Sequence, residues 1–142
     1  MNDRIVGIGL DLVHIPRVHA LAERWRNRFL DRLYTDAERG YCFRQAKPYA
    51  SLAGRFAAKE ALLKALGTGW AKGLRWLDMQ ILNDFQGKPV ATAQGGVATL
   101  MKRAGVTGVH ISLSHDGDYA MAQVILTGNR RARGSARRRR IA

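Results

Sequence analysis

Residues 4–13, Arg-Ile-Val-Gly-Ile-Gly-Leu-Asp-Leu-Val, form an apolar, β-branched run interrupted by two glycines and one carboxylate. The run predicts a buried strand with Asp11 near its end. At Pro16 the pattern changes, since proline suits the first turn of a helix. From there to about Asn27 the apolar residues Val18, Leu21, Ala22 and Trp25 recur at helical spacing, while Arg17, Glu23, Arg24 and Arg26 face elsewhere. This predicts an amphipathic, basic helix. Thr35-Asp36-Ala37-Glu38 has the form of a capping box, in which the Thr and Glu side chains satisfy free backbone N–H groups, and it opens a short helix to about Ala46. Pro48 breaks that helix. Residues 50–66 are rich in Ala and Leu, form the strongest helix in the chain, and are stopped by Gly67 and Gly69. Its apolar stripe is Leu52, Phe56, Leu63 and Leu66.

Residues 76–83 predict a strand, 86–89 a turn, and 90–93 a second, short strand. Another helix is expected from Gly95 to Gly105. Residues 109–114 and 119–126 read as two strands joined through His115-Asp116-Gly117-Asp118, where Asp-Gly is a hairpin signal. The order is mixed α and β with an antiparallel close. At 142 residues the chain has the usual size of one domain. That domain is expected over 1–127, and residues 128–142, mostly Gly, Asn, Ser and Arg, are expected to be a disordered tail.

Composition narrows the class. At 46% hydrophobic and 25% charged the chain is globular in type, and no apolar run approaches the ~20 residues needed to cross a bilayer. Met1-Asn2-Asp3-Arg4 lacks the regions of a secretory signal, which predicts a cytoplasmic protein. The only cysteine, Cys42, reads as a semi-buried structural residue. The net charge of +13 is uneven, because seven arginines lie between Arg130 and Arg140. Setting those seven aside from the 24 basic residues leaves 17 against 11 acidic, about +6 for the body. That balance favours an anionic nucleotide or an acidic protein partner. A specific nucleic-acid reader would need aromatics interleaved with the arginines, and the tail has none.

The candidate chemistry lies on three segments. Lys59 projects within the stripe of the long helix and Glu60 lies on its margin. Charges there are costly unless paired, and Lys64, four residues after Glu60, offers an ordinary helix salt bridge. Asp11 ends an apolar strand, where an aspartate also suits a cap or turn. Gly7-Ile8-Gly9 lacks the third glycine of a dinucleotide fingerprint, so its glycines are credited with close packing. His115 follows Ser114 and precedes Asp116, but neighbours on a strand point to opposite faces and cannot form a triad. Two isolated carboxylates, two lysines, a Gly67-Thr68-Gly69 loop and a strand-end histidine together suit phosphoryl-type chemistry with Mg²⁺. A metal-dependent pyrophosphohydrolase would use the same groups but with a denser carboxylate cluster.

In three segments the chain resembles the holo-acyl-carrier-protein synthases, the small bacterial phosphopantetheinyl transferases. They are Gly7-Ile8-Gly9-Leu10-Asp11, Arg55-Phe56-Ala57-Ala58-Lys59-Glu60-Ala61 through Lys64-Ala65-Leu66-Gly67-Thr68-Gly69, and Ser112-Leu113-Ser114-His115-Asp116 with Tyr119-Ala120. The resemblance spans about residues 4–126 and its middle motif is highly specific. It implies an α+β single domain, a mixed or antiparallel sheet packed with a long helix, assembled as a homotrimer with active sites between subunits. The implied reaction moves 4′-phosphopantetheine from coenzyme A to a serine of apo acyl carrier protein, releasing adenosine 3′,5′-bisphosphate, a step of fatty acid biosynthesis. Asp11 and Glu60 would hold Mg²⁺. Glu60 would accept the serine proton, directly or through a water, and Lys64 would assist the leaving group. Lys59, Lys64, His115 and Gly67-Thr68-Gly69 would contact coenzyme A phosphates. Arg17, Arg28 and Phe29 fall where the family docks its acidic carrier. Two departures stand out: His14 replaces a common glutamate, and the arginine-rich tail is outside the family pattern.

Overall fold

The computed structural model describes residues 3–69 and 73–129. Along them run β1 (Arg4–His14), α1 (Ile15–Trp25), α2 (Asn27–Leu33), α3 (Asp36–Phe43) and α4 (Pro48–Leu66). A 3-10 turn at Trp76–Asp78 then leads to β2 (Met79–Asn83), β3 (Pro89–Ala93), α5 (Gly95–Ala104), β4 (Val106–Asp116) and β5 (Tyr119–Gly128). The fold is α+β. Its strands form a three-stranded sheet in the order β1-β5-β4 and a separate β2-β3 hairpin, and every pairing is antiparallel.

Both proline and glycine signals around the long helix hold, with one change of sense. Pro48 sits in the first turn of α4, where its missing N–H costs nothing, so it opens this helix rather than breaking the previous one, which already ends at Phe43. Gly67 ends α4 in the left-handed conformation at φ 77°, its N–H returning to Lys64 O. The predicted stripe is too narrow. Leu52, Ala53, Ala57, Ala58, Ala61, Leu62 and Leu63 are all buried, because β1 and β5 cover one side of α4 while α1, α3 and β2 close the others. A helix enclosed on several sides loses the amphipathic period that a surface helix shows.

The expected basic helix is α1, and a second helix, α2, follows it where none was predicted. Arg26 adopts φ 44° and ψ −122°, its N–H closing α1 on Ala22 O while its carbonyl accepts from Phe29 and Leu30. The turn points Leu30 and Leu33 of α2 into the core. No glycine or asparagine occupies position 26 to announce it. The capping box is present as predicted: Glu38 N donates to Thr35 Oγ1 (3.2 Å) and Thr35 N to Glu38 Oε1 (2.9 Å).

One face of the large sheet packs on α4. The other presents Ile8, Leu10 and Leu12 at 57, 52 and 60% exposure beside Tyr119 and Met121. At the hairpin, Asp116 pairs with Tyr119 across Gly117-Asp118, with Gly117 at φ 55°. No helix among the described residues is long and apolar enough to cross a membrane. β5 continues to Gly128, one residue past the expected domain end, and the expected tail from Arg130 lies outside the described residues.

Candidate active site

β1 runs against the C-terminal half of α4, which brings Asp11 over Glu60 and Lys64. Lys64 Nζ donates to Asp11 Oδ1 at 2.8 Å and to Leu10 O at 3.0 Å. The alternative that the sequence left open, a salt bridge from Lys64 to Glu60 on its own helix, is not formed. Glu60 is half-buried and makes no side-chain hydrogen bond or ion pair among the described residues. Burial, and then the nearby Asp11 charge, raise its carboxyl above the ordinary value of 4.5, with Lys64 pulling the other way. The hydrogen bond to Asp11 raises Lys64 in turn, keeping the ammonium charged. The cluster therefore holds one neutralised carboxylate and one that lacks a partner among the described residues. Hard oxygen donors with that unmet charge fit a divalent cation such as Mg²⁺. Among the described residues no third His, Cys, Asp or Glu joins them, so water and ligand phosphates would have to complete the shell.

A second polar site lies on the opposite flank of α4. A cavity of about 380 Å³ is lined by Tyr41, Lys47, Ser51, Arg55, Ser114 and His115, among others. Arg55 is 5% exposed, lies over the Tyr41 ring at 4.6 Å, and donates through Nη2 to Asn83 Oδ1, yet its buried Nε has no partner among the described residues. A buried guanidinium with an unused donor, next to a lysine and a histidine, suits an anion. The sheet register keeps this site apart from the first: Asp11 pairs with Ala122, which pairs with Leu113, so β4 lies a full strand beyond β5, about 10 Å from β1.

The 4′-phosphopantetheinyl transferase superfamily profile matches residues 7–124, taking in both sites. The chain belongs to that superfamily. It is 48% identical over 124 residues to the holo-[acyl-carrier-protein] synthase of Desulforudis audaxviator, covering 87% of this chain and 94% of that one. Among solved structures, the Helicobacter pylori holo-[acyl-carrier-protein] synthase in complex with coenzyme A matches at 33% identity and TM-score 0.74, covering 84% of this chain and 98% of the other. The Neisseria meningitidis synthase matches at 32% and 0.79, covering 87% and 98%.

Within this transferase the expected site residues separate. Asp11, Glu60 and Lys64 come together. Gly67, Thr68 and Gly69 are the turn that follows, two helical turns beyond Glu60, with Gly69 also at positive φ (54°) and Thr68 Oγ1 donating to Gly69 O. His115 belongs to the second flank. Lys59 requires a correction. It was expected to contact phosphate, but its side chain is 0% exposed and its Nζ donates to Leu33 O and Glu38 Oε1, both at 2.6 Å. One residue around a helix is a 100° turn, enough to aim Lys59 inward while Glu60 faces the cleft. Glu38 also accepts from Ile81 N at 3.0 Å, so the pair ties α4 to α3 and β2. Burial lowers the Lys59 pKa while Glu38 pulls it back up.

The expected docking residues lie on two helices. Arg17 is exposed on α1 and Arg28 on α2, while Phe29 is half-buried and packs edge-on to Tyr34 at 6.2 Å between centroids. Reasoning from the sequence missed Arg55, although it stands in the quoted middle motif. An arginine amid alanines at the helix spacing of Ser51 was the available signal.

Proposed function

We propose that the chain transfers the 4′-phosphopantetheine group of coenzyme A to a serine hydroxyl of an apo acyl carrier protein, releasing adenosine 3′,5′-bisphosphate. The observation that carries this reading is the Asp11-Lys64-Glu60 cluster, set within the motifs of a phosphopantetheinyl transferase. Mg²⁺ held by Asp11 and Glu60 would supply Lewis-acid neutralisation of the diphosphate. The chain's own groups do the rest. Serine Oγ forms the new bond to phosphorus as the bond to the bisphosphate leaving group breaks. The serine proton passes to Glu60, directly or through a water, and the burial that raises this carboxyl's pKa favours its holding a proton. Lys64 turns its ammonium to the leaving phosphate, and the Gly67-Thr68-Gly69 amides line its approach. His115, joined by Arg55 and Lys47, would hold the nucleotide's outer phosphate. Arg17, Arg28 and Phe29 would meet the acidic carrier.

The same reading includes a homotrimer with active sites shared between subunits and a cytoplasmic setting, where coenzyme A and the carrier meet. Two observations support the sharing. The metal half and the anion half open on opposite flanks of α4 in one chain, as expected if each half faces a different neighbour. The bare apolar face of the sheet gives a second copy a surface to cover.

The test is the intact mass of an apo acyl carrier protein after incubation with the enzyme, coenzyme A and Mg²⁺, alongside Glu60→Ala. A phosphopantetheine-sized gain that needs the cation and disappears in the variant supports the reading. Release of phosphopantetheine without carrier would replace transfer by hydrolysis.

A further inference from the structure

Building on the metal reading above, we propose that Lys64 is an internal counter-cation: it occupies Asp11 in the free enzyme and yields it to the divalent ion only when a diphosphate arrives to take up the ammonium. Three features of the cluster point there. Lys64 passes over Glu60, its neighbour one turn back, and reaches across to another element. It is anchored at two points, Asp11 Oδ1 and Leu10 O, which a casual surface ion pair is not. The Asp11 side chain is only 15% exposed against 50% for Lys64, so the ammonium, not water, is the main counter-charge to this carboxylate.

A cation entering between Asp11 and Glu60 would meet a unit positive charge within hydrogen-bond distance of one of its two ligands. The repulsion weakens cation binding to the free protein. A diphosphate reverses the balance, because its oxygens both ligate the cation and accept from Lys64. By linkage, cation and diphosphate must then raise each other's affinity by the same factor. The bound state assembles as a unit, and Lys64 ends beside the phosphate it is to neutralise.

The experiment measures Mn²⁺ binding to the full chain by the electron paramagnetic resonance of free Mn²⁺, with and without coenzyme A. The wild type, Lys64→Met, Lys64→Gln, Lys64→Arg and Asp11→Asn are compared. Without coenzyme A, Lys64→Met and Lys64→Gln should bind Mn²⁺ roughly tenfold more tightly than wild type, and the gain in Mn²⁺ affinity on adding coenzyme A should shrink by a similar factor. Lys64→Arg, which keeps the charge, should bind Mn²⁺ without coenzyme A no more tightly than wild type, and tight binding by it would overturn the role of the charge. Equal or weaker Mn²⁺ binding by both neutral variants overturns the counter-cation role while leaving the metal site in place. Wild-type Mn²⁺ binding by Asp11→Asn overturns the metal reading itself, and the inference with it.

Discussion

Gly9 lies directly against the backbone of Ala61: a methyl group on Gly9 would stand 1.8 Å from the Ala61 carbonyl oxygen. Gly7 is in the same relation to Ala65 one turn further on, at 2.0 Å. No side chain can move aside to relieve a clash with a backbone carbonyl. These glycines therefore set the separation of β1 from α4, and with it the reach from Lys64 to Asp11. Gly9→Ala should destabilise the protein by about 1–3 kcal/mol or prevent folding. Where it folds, transfer activity should fall further than stability does. Urea denaturation paired with carrier-mass kinetics checks both.

Lys59 and Glu38 make a different kind of contribution. With Nζ enclosed and two backbone N–H groups also committed to Glu38, removing the ammonium leaves a charged carboxylate inside the core. Lys59→Met should cost about 3–5 kcal/mol. The folded fraction should bind coenzyme A as the wild type does, since the side chain has no route to a ligand. Calorimetric titration with coenzyme A decides this, because a stable variant with weakened binding would restore Lys59 to the phosphate site.

Glu60 sets function against stability. Its folded pKa lies above the unfolded value, so between the two the folded state holds more protons and stability falls as pH rises through the folded pKa. Ionised Glu60 is thus a strain on the metal-free protein at neutral pH. Glu60→Gln should unfold at a slightly higher temperature than wild type at pH 7 without metal, and the difference should fade as pH drops toward 4.5. The same variant should lose roughly a hundredfold or more in transfer rate. Thermal unfolding scans across pH, with a chelator present, measure the first effect.

Much of this arrangement was legible in the sequence because it is local. Thr35 and Glu38 cap a helix through bonds three residues apart, and Gly67 stops α4 through its own backbone freedom. The glycines at 7 and 9 were correctly credited with close packing, although not with which partner. What escaped depends on tertiary enclosure. Lys59 and Glu60 look alike as neighbouring charges on one helix until α2, α3 and β2 close over the first. Lys64 was one turn from Glu60 in sequence, and only the path of β1 offers it Asp11. The left-handed Arg26 has no residue type that advertises it.

Carrier docking should respond to charge on α1 more than to chemistry at the cluster. Arg17 is exposed and far along the chain from Glu60, so Arg17→Glu should raise KM for the carrier about tenfold while kcat stays close to wild type. The gap between variant and wild type should narrow as salt is raised, because exposed charges are screened. Carrier titrations at two ionic strengths distinguish this from a packing defect, which salt would not relieve.

The exposed sheet face carries the final prediction. Ile8, Leu10 and Leu12 alternate along β1 with residues that face α4, so all three point the same way, and Tyr119 and Met121 extend the patch onto β5. A contiguous apolar surface on a sheet is costly to leave in water and suits a second copy of the chain. The proposed homotrimer of 15.8 kDa chains predicts that Leu12→Asp gives monomers where the wild type gives an assembly of three, read by light scattering on a sizing column. If the two half-sites meet only across subunits, the monomer should retain its secondary structure yet lose transfer. Activity in a stable monomer would mean that one chain brings His115 and Glu60 to the same ligand after all, and the shared site would have to be given up.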